Sequence, residues 1–224
     1  MKERLSREVI AMRVAEELFD GAVVNLGIGI PTLVSNYIPE GRAVIFQSEN
    51  GVLGYGQVVV QADFSEKADI DFINAGGQYI TPLPGMCFFN LAESFDMIRG
   101  GHIDVAILGA IEVSERGDLA NWMIPSRKVG GIGGGMDLAL NTKRVIVATE
   151  HTTTDGKPKI VKRCRAPLTA PKCVDLIVTD IAVIEVTGGG LLLKEFAPGW
   201  HVQEIQDLTE PKLNVAKDLK EMEL

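Results

Sequence analysis

The chain is organised around the stretch Val44-Ile-Phe-Gln-Ser-Glu-Asn-Gly-Val-Leu-Gly-Tyr-Gly56. Its apolar residues Val44 to Phe46 are typical of the end of a buried strand, and the residues that follow, 47–51, predict a polar turn. The Asn-Gly dipeptide in this turn readily adopts positive φ, so we expect the chain to reverse sharply there. The stretch therefore places a carboxylate, Glu49, at the end of a strand, where open α/β sheets hold their chemistry.

Local sequence leaves two interpretations of Glu49 open. It is either a solvated acid in a hairpin turn or a nucleophilic carboxylate, one of the side chains that form covalent intermediates. Gly54 and Gly56 follow the turn and have no side chains, which predicts room for a ligand to approach the backbone.

Composition predicts one large globular domain that spans residues 1–224, with 46% hydrophobic and 23% charged residues. The net charge of −8, from 30 acidic and 22 basic residues, disfavours nucleic acid and anionic lipid as partners. No apolar run approaches the roughly 18 residues of a membrane span. The first eight residues carry charges of both signs and lack the apolar core of a signal peptide, so we expect a cytoplasmic protein that does not bind a membrane.

The cysteines and histidines show no spacing typical of a metal site or a disulfide framework. The three cysteines are odd in number and lack Cys-x-x-Cys spacing, which predicts reduced thiols, and the three histidines are scattered. We therefore expect no metal. These residues are Cys87, Cys164, Cys173, His102, His151 and His201.

Apolar strands alternate with helical patterns along the chain, which predicts an α/β fold with a mainly parallel open sheet flanked by helices. A helix is predicted from Ser6 to Phe19, another from Pro31, and a third over 90–99. The segment from Leu208 to Leu224 predicts a charged helical tail. Strands are predicted over 22–26, 44–46, 71–73, 103–108, 145–149, 176–178 and 181–186, several as the continuous apolar runs of strands buried on both faces.

Two glycine-rich stretches do not match nucleotide-binding motifs. In 27–32 the third glycine of a dinucleotide fingerprint is replaced by Thr32, and no register of 129–138 gives that fingerprint or a P-loop. The second stretch is either a flexible loop before a helix that begins near Met136, or a bare backbone whose N–H groups face an oxyanion or a thioester oxygen.

Two further polar features also have alternative interpretations. Asn25, at the end of an apolar strand, is either a turn cap or a donor of its amide N–H to the same oxyanion. The basic run from Lys157 to Arg165 is either the solvated face of a strand or a grip for phosphate groups.

An ordered series of motifs resembles family I CoA-transferases, specifically the B (beta) subunit of the 3-oxoacid or acetate type. The resemblance covers the chain from about Arg7 to beyond Gly199. It is carried by Ser48-Glu-Asn-Gly51, Asn74-Ala-Gly-Gly77, Ser94-Phe-Asp-Met-Ile-Arg-Gly-Gly-His-Ile-Asp104, Gly117-Asp-Leu-Ala-Asn-Trp122, Gly133-Gly-Gly-Met-Asp-Leu138, Glu150-His151 and Leu168-Thr169.

The resemblance implies that Glu49 is the catalytic glutamate and that Asn25, Gly134 and Gly135 occupy oxyanion or thioester-binding positions. Many relatives have alanine where Gly135 stands. The implied reaction transfers CoA from an acyl-CoA to a free short-chain carboxylate through a glutamyl-CoA thioester, with coenzyme A as substrate and no tightly bound cofactor.

The resemblance also implies a partner, because this chain corresponds to only the second half of the longer members. We therefore expect an A (alpha) subunit and an α2β2 assembly. The alternative function is a sugar-phosphate isomerase or a ligand-sensing domain on a related scaffold, which would need a phosphate-binding nest and an acid/base pair.

Overall fold

Strands and short helices alternate through the computed structural model of the chain, which describes residues 2–59, 69–124 and 131–223. The helices are α1 (Arg7–Ala15), α2 (Ile30–Leu33) with a 3-10 turn over Val34–Asn36, α3 (Leu91–Arg99), α4 (Gly135–Asn141) and α5 (Val202–Asp207). The strands are β1 (Val23–Leu26), β2 (Ile45–Ser48), β3 (Val52–Tyr55), β4 (Cys87–Phe88), β5 (Val105–Leu108), β6 (Glu112–Ser114), β7 (Leu119–Ala120), β8 (Arg144–Ala148), β9 (Ile160–Val161), β10 (Leu176–Val178), β11 (Ala182–Thr187), β12 (Gly190–Phe196) and β13 (Asn214–Glu221).

Ten of these strands form one sheet, in the order β13-β12-β11-β10-β8-β5-β1-β2-β3-β4. The five strands at its centre, from β10 to β2, are parallel to one another. β3 and β4 extend one side in antiparallel fashion, and β11 and β12 extend the other, with β13 parallel to β12. The predicted single α/β domain with a mainly parallel open sheet is therefore confirmed. β7, β6 and β9 form a separate small sheet.

The central strands are apolar because they are buried on both faces. Every residue of β5 and β10 is buried, as are four of the five residues of β8. Such strands lose the alternation of polar and apolar residues that marks a half-exposed sheet.

The helices are short, and local signals set their ends. Ser6 caps α1 by accepting a hydrogen bond from Val9 N–H, and Asn90 and Glu93 form a capping box at the start of α3. The prediction that the first helix reaches Phe19 is wrong, since α1 ends at Ala15 and Phe19 is 56% exposed. No helix within the described ranges is both long and apolar enough to cross a membrane.

The order of the strands creates a crevice next to β1. The chain passes from β1 to β2 on one side, and later returns to β5 on the other side of β1. Such a reversal opens a cleft at the carboxyl ends of the two strands. A Cβ atom on Gly27, just beyond β1, would lie 3.2 Å from the Ile107 carbonyl oxygen of β5, so the glycine allows the two strands to approach closely here.

The predicted C-terminal helical tail is wrong, because residues 214–221 form β13 at the edge of the sheet. Leu213, Ala216 and Met222 are buried at spacings of three and six residues, which resembles a helical pattern. The spacing arises because the pairing of β12 with β13 is irregular, with Leu193 opposite Val215 but Glu195 opposite Lys220. An irregular strand does not keep the two-residue period of an ideal one.

The predicted strand over 71–73 is also wrong. Ile73 makes only an isolated bridge with Tyr79, and the residues between them form a tight loop. The loop is closed by Asn74 Oδ1, which accepts hydrogen bonds from Gly76 N–H at 2.9 Å and Gln78 N–H at 3.0 Å. An asparagine side chain that bonds the backbone in this way favours a turn over a strand.

Candidate active site

Glu49 is the first residue of the three-residue loop that joins β2 to β3. Gly51 closes this loop by donating its N–H to the Ser48 carbonyl oxygen at 2.9 Å. Gly51 has a φ of +105°, and a Cβ atom there would collide with the Phe89 carbonyl oxygen, so only glycine fits. The predicted sharp reversal is confirmed, although Gln47 and Ser48 are buried residues of β2 and not part of the turn.

The space beside Gly54 and Gly56 is occupied by the chain itself. A Cβ atom on Gly54 would lie 3.6 Å from Met86 Cα, and one on Gly56 would collide with the Thr81 side chain. The prediction that these glycines leave room for a ligand is therefore wrong. They allow the segment 81–86 to pack against the hairpin.

The side chain of Glu49 contributes to the wall of an open cavity of about 650 Å³ at the carboxyl ends of β1 and β5. Among the described residues that line this cavity, Glu49 is the only one with a charged side chain. Seven of the described lining residues are glycines, so much of the wall is bare backbone: Gly27, Gly76, Gly109, Gly131, Gly133, Gly134 and Gly135. This environment favours the nucleophile interpretation of Glu49 over that of a solvated acid.

Burial raises the pKa of the Glu49 carboxyl group above its ordinary value. The Glu49 backbone N–H and the Asn25 amide lower the pKa and offset part of this rise. Tyr55 of β3 lies within range of the same charge, since burial and the charge of Glu49 together raise the pKa of its phenol. The site thus holds a carboxylate that is less stabilised than it would be in water.

Gly134 lies directly against Glu49. A Cβ atom on Gly134 would lie 3.0 Å from Glu49 Cγ, 3.1 Å from Glu49 Oε1 and 3.3 Å from Phe95 Cζ. These distances are tighter than ordinary van der Waals contact, so a side chain here would push on the carboxylate. The glycine-rich stretch, as far as residues 131–135 show, therefore forms a cavity wall beside Glu49.

Gly135 is less closely packed than Gly134. Its N–H already donates to the Ile132 carbonyl oxygen at 3.0 Å, and a Cβ atom would lie 3.6 Å from Asn121 Oδ1 and 3.7 Å from Thr169 Cγ2. Alanine would fit at this position without a clash. Gly135 also begins α4, close to the predicted helix start at Met136.

Asn25 is fully buried in β1, where it faces the neighbouring strand β2. Its Nδ2 donates to the Gln47 carbonyl oxygen at 3.2 Å and to Gln47 Oε1 at 2.6 Å. Asn25 is therefore not a turn cap. Among the described residues, Asn25 Oδ1 is the one buried side-chain nitrogen or oxygen atom without a hydrogen-bond partner.

A protein-family comparison agrees with this geometry. The family model for coenzyme A transferases matches residues 7–208, nearly the whole chain. The chain belongs to this family.

Individual relatives give the same result. The beta subunit of acetate CoA-transferase from Escherichia coli is 47% identical over 214 residues, which cover 96% of each chain. The B subunit of succinyl-CoA:3-ketoacid coenzyme A transferase from Helicobacter pylori is 48% identical over 209 residues, which cover 93% of this chain and 99% of the relative. An acyl-CoA transferase structure from Escherichia coli has the same fold, with a TM-score of 0.76 and 24% identity over 100% of this chain and 44% of its own.

Three residues of the basic run of this CoA-transferase pair with acids, and none of its basic residues lines the cavity. Lys157 bonds Asp155 at 2.7 Å, and Arg165 bonds Glu210 at 3.0 Å. Lys159 donates to Thr149 Oγ1 at 2.8 Å. Only Ile160–Val161 of this region form a strand. A phosphate-gripping role therefore has no support among these contacts.

Several residues of the CoA-transferase cavity were not predicted as site residues. They are Ile28, Leu91, Phe95, Leu108, Gly109, Asn121 and Trp122. Phe95, Asn121 and Trp122 belong to motifs that carried the resemblance, which is the one sequence signal that could have marked them. The others come together because β5 returns to the side of β1, and that strand order cannot be deduced from local patterns.

Proposed function

We propose that this CoA-transferase chain is the catalytic B subunit of an enzyme that moves CoA from an acyl-CoA to a free short-chain carboxylate by a ping-pong mechanism, with Glu49 as the nucleophile. One observation carries the proposal. Among the described residues around the cavity, Glu49 provides the only charged side chain, and it is held against Gly134 at the carboxyl edge of the sheet. The names of the relatives support acetate, succinyl-CoA and 3-ketoacids as substrate classes.

In the first half-reaction the Glu49 carboxylate attacks the thioester carbonyl, the C–S bond breaks, and CoA leaves as a thiolate, which gives a mixed anhydride between Glu49 and the acyl group. The thiolate then attacks the Glu49 carbonyl of the anhydride, which releases the donor acid and forms a glutamyl-CoA thioester. The acceptor carboxylate repeats these steps in reverse. A carboxylate needs no general base, since the reference pKa of glutamate is about 4.3.

A carboxylate is a weak nucleophile, so the rate must come from the site. Holding the carboxylate and the thioester together can supply roughly 7–11 kcal/mol. The backbone beside Gly134 and Gly135 and the Asn25 amide are the candidate donors to the oxyanion, and one donor is worth roughly 3–4 kcal/mol. The Gly135 N–H and the Asn25 amide already donate hydrogen bonds within the protein. The backbone N–H at Gly134 is therefore the strongest of these candidates.

The open cavity also requires a cover, because water would hydrolyse the anhydride. We propose that an A subunit supplies it in an α2β2 assembly. The names of the relatives support the A subunit, since both relatives are named as a beta or B subunit. Coenzyme A enters as a substrate. The three free cysteines support a cytoplasmic location.

A sugar-phosphate isomerase is the less favoured function. The described lining of the cavity contains no lysine, arginine or histidine, and no second acid to form an acid/base pair with Glu49. Phosphate recognition favours cationic groups or a dedicated backbone nest.

The test is to mix the chain and its A partner with an acyl-CoA, trap the product with borohydride or hydroxylamine, and locate the modified residue by mass spectrometry. We expect modification of Glu49 and a loss of transfer in Glu49→Gln. Glu115→Gln, at a distance from the cavity, is the matched control and should transfer normally. An unmodified Glu49 together with a fully active Glu49→Gln would exclude the mechanism.

A further inference from the structure

The tight loop over residues 73–78, called the wall loop below, forms part of the cavity and has no role in the mechanism above. Its residues Ala75 and Gly76 line the cavity together with Glu49. A Cβ atom on Gly76 would lie 3.3 Å from Ile28 Cγ1, so the loop also packs closely against another lining residue. The position of the wall loop therefore affects the shape of the site around Glu49.

The wall loop keeps its conformation through hydrogen bonds of its own. Asn74 Oδ1 accepts from the N–H groups of Gly76 and Gln78, and the Asn74 carbonyl oxygen accepts from Gly77 N–H at 2.9 Å. These bonds fix the turn but do not attach it to the large sheet. The place of the loop beside Glu49 must come from contacts with other parts of the chain.

The side chains on either side of Glu49 supply this attachment. Ser48 Oγ accepts a hydrogen bond from Ala75 N–H at 2.8 Å, and Asn50 Nδ2 donates to the Ile73 carbonyl oxygen at 2.8 Å. Within the described part of the chain, these are the only two hydrogen bonds that join the wall loop to anything outside residues 72–80. The attachment of the loop therefore depends on two side chains that flank the nucleophile.

Both bonds need the side chains that are present. A main-chain N–H can only donate and a main-chain carbonyl can only accept, so Ala75 needs an acceptor and Ile73 needs a donor. The hairpin that carries Glu49 does not depend on either bond, because the Gly51 N–H closes it onto the Ser48 carbonyl oxygen. Removing either side chain should therefore release the wall loop and leave the hairpin in place.

We propose that Ser48 and Asn50 are positioning residues that hold the wall loop at a fixed distance from Glu49. This inference rests on the proposed role of Glu49 as the nucleophile. Because both anchors are covalent neighbours of Glu49, the nucleophile and this part of the cavity wall are fixed to one short segment, residues 48–50. A fixed wall keeps the thioester within reach of the carboxylate and keeps water away from the anhydride.

The experiment uses the complex with the A partner and the variants Ser48→Ala and Asn50→Ala. The complex receives an acyl-CoA that the wild type accepts and an excess of acceptor acid. Chromatography then separates the new acyl-CoA made by transfer from the free CoA released by hydrolysis. We expect transfer to fall by roughly tenfold in each variant, since a misplacement of about 1 Å can cost roughly 100-fold in rate. The ratio of hydrolysis to transfer should rise severalfold, because a released wall admits water.

This ratio separates positioning from a purely structural role. Both reactions need the same folded complex, so a loss of folded protein lowers both rates and leaves their ratio unchanged. The matched controls are Ser35→Ala and Asn214→Ala. Ser35 is buried and its Oγ accepts from Val58 N–H at 3.2 Å, and the exposed Asn214 donates its Nδ2 to the Gly189 carbonyl oxygen at 3.1 Å. Neither residue lines the cavity, and both controls should keep the wild-type ratio.

Ser48→Ala is the decisive variant, because Asn50 lines the cavity and the buried Ser48 does not. A wild-type ratio of hydrolysis to transfer in Ser48→Ala would overturn the inference, and if this variant does not fold, Asn50→Ala decides. A rise of the same size in the two controls would also overturn it. An absence of Glu49 acylation in the wild type would instead refute the proposed function, so the two failures are distinguishable.

Discussion

The Glu49 carboxyl group is buried, and burial disfavours its charged form. Burial raises the pKa of the Glu49 carboxyl in the folded state above its value in the unfolded chain. The contribution of Glu49 to stability is therefore fully present below the pKa of the unfolded chain, and it is lost as pH rises through the pKa of the folded state. We therefore expect Glu49→Gln, which has no charge to bury, to raise the free energy of unfolding at pH 7.5 by about 0.5–2 kcal/mol. The gain should disappear near pH 4. Urea unfolding at both pH values measures this, and a variant less stable than wild type at pH 7.5 would contradict it.

The adjacent glycines 134 and 135 form a matched pair for substitution. Gly134→Ala should displace the Glu49 carboxylate by a few tenths of an ångström and reduce turnover by roughly 10–100-fold, with little change in stability. Gly135→Ala should keep its activity and gain about 0.5–1 kcal/mol, because alanine favours the helix that begins there. Turnover of the complex with the A partner and thermal unfolding test both. Equal activity of the two variants would show that contact with Gly134 does not position Glu49.

The conformation of single residues was predictable where it depends only on neighbours in the sequence. The Asn-Gly dipeptide predicted the reversal at Gly51, and Glu49 was therefore placed correctly at the end of a strand. The surroundings of Asn25 were not predictable, because its partner Gln47 is 22 residues away and meets it only through the register of β1 with β2. Side-chain partners across a parallel sheet depend on that register, which local patterns do not encode.

At the scale of elements, strands buried on both faces were the easiest to predict. β5, β8 and β10 appear in the sequence as continuous apolar runs, and the structure has them within one or two residues of the predicted bounds. The prediction for the C-terminal segment failed because β12 pairs irregularly with β13, and the buried positions there are three and six residues apart. Hydrophobic period alone cannot separate an irregular strand from a short helix.

The edge strand β13 gives a prediction of its own. Lys217 and Lys220 are exposed on this strand, and charged side chains on an edge discourage pairing with another chain. We expect the double variant Lys217→Val with Lys220→Val to self-associate, as seen by light scattering. The matched control, Lys157→Val with Lys162→Val, removes the same charge outside the large sheet. Equal association of the two variants would point to lost charge and not to the exposed edge.

At the scale of the whole molecule, His151 joins distant parts of the chain. Its ring nitrogens lie 3.0 Å from Thr179 Oγ1 and 2.9 Å from Thr209 Oγ1, and its backbone N–H donates to Asp180 at 2.7 Å. Asp180 in turn bonds Arg4 at 2.8 Å. The N-terminal segment, the end of β10 and the chain after α5 therefore meet at one buried histidine. Its position beside Glu150 was part of the resemblance, but its partners follow from the fold alone.

His151 should make the whole protein sensitive to mild acid. Burial, with a smaller effect of Arg4, lowers the pKa of His151 to about 3. In mild acid the unfolded chain therefore binds a proton at this histidine and the folded chain does not. Its stabilising contribution is present above the unfolded pKa of about 6.5 and is lost as pH falls towards 3. The free energy of unfolding should drop by about 2 kcal/mol between pH 7 and pH 5 from this residue alone. His151→Gln should be less stable than wild type at pH 7. Between pH 7 and pH 5, however, its free energy of unfolding should fall by about 2 kcal/mol less than that of the wild type. The variant of an exposed histidine, His102→Gln, is the control in the urea titrations. An unchanged slope in His151→Gln would assign the acid sensitivity to other groups.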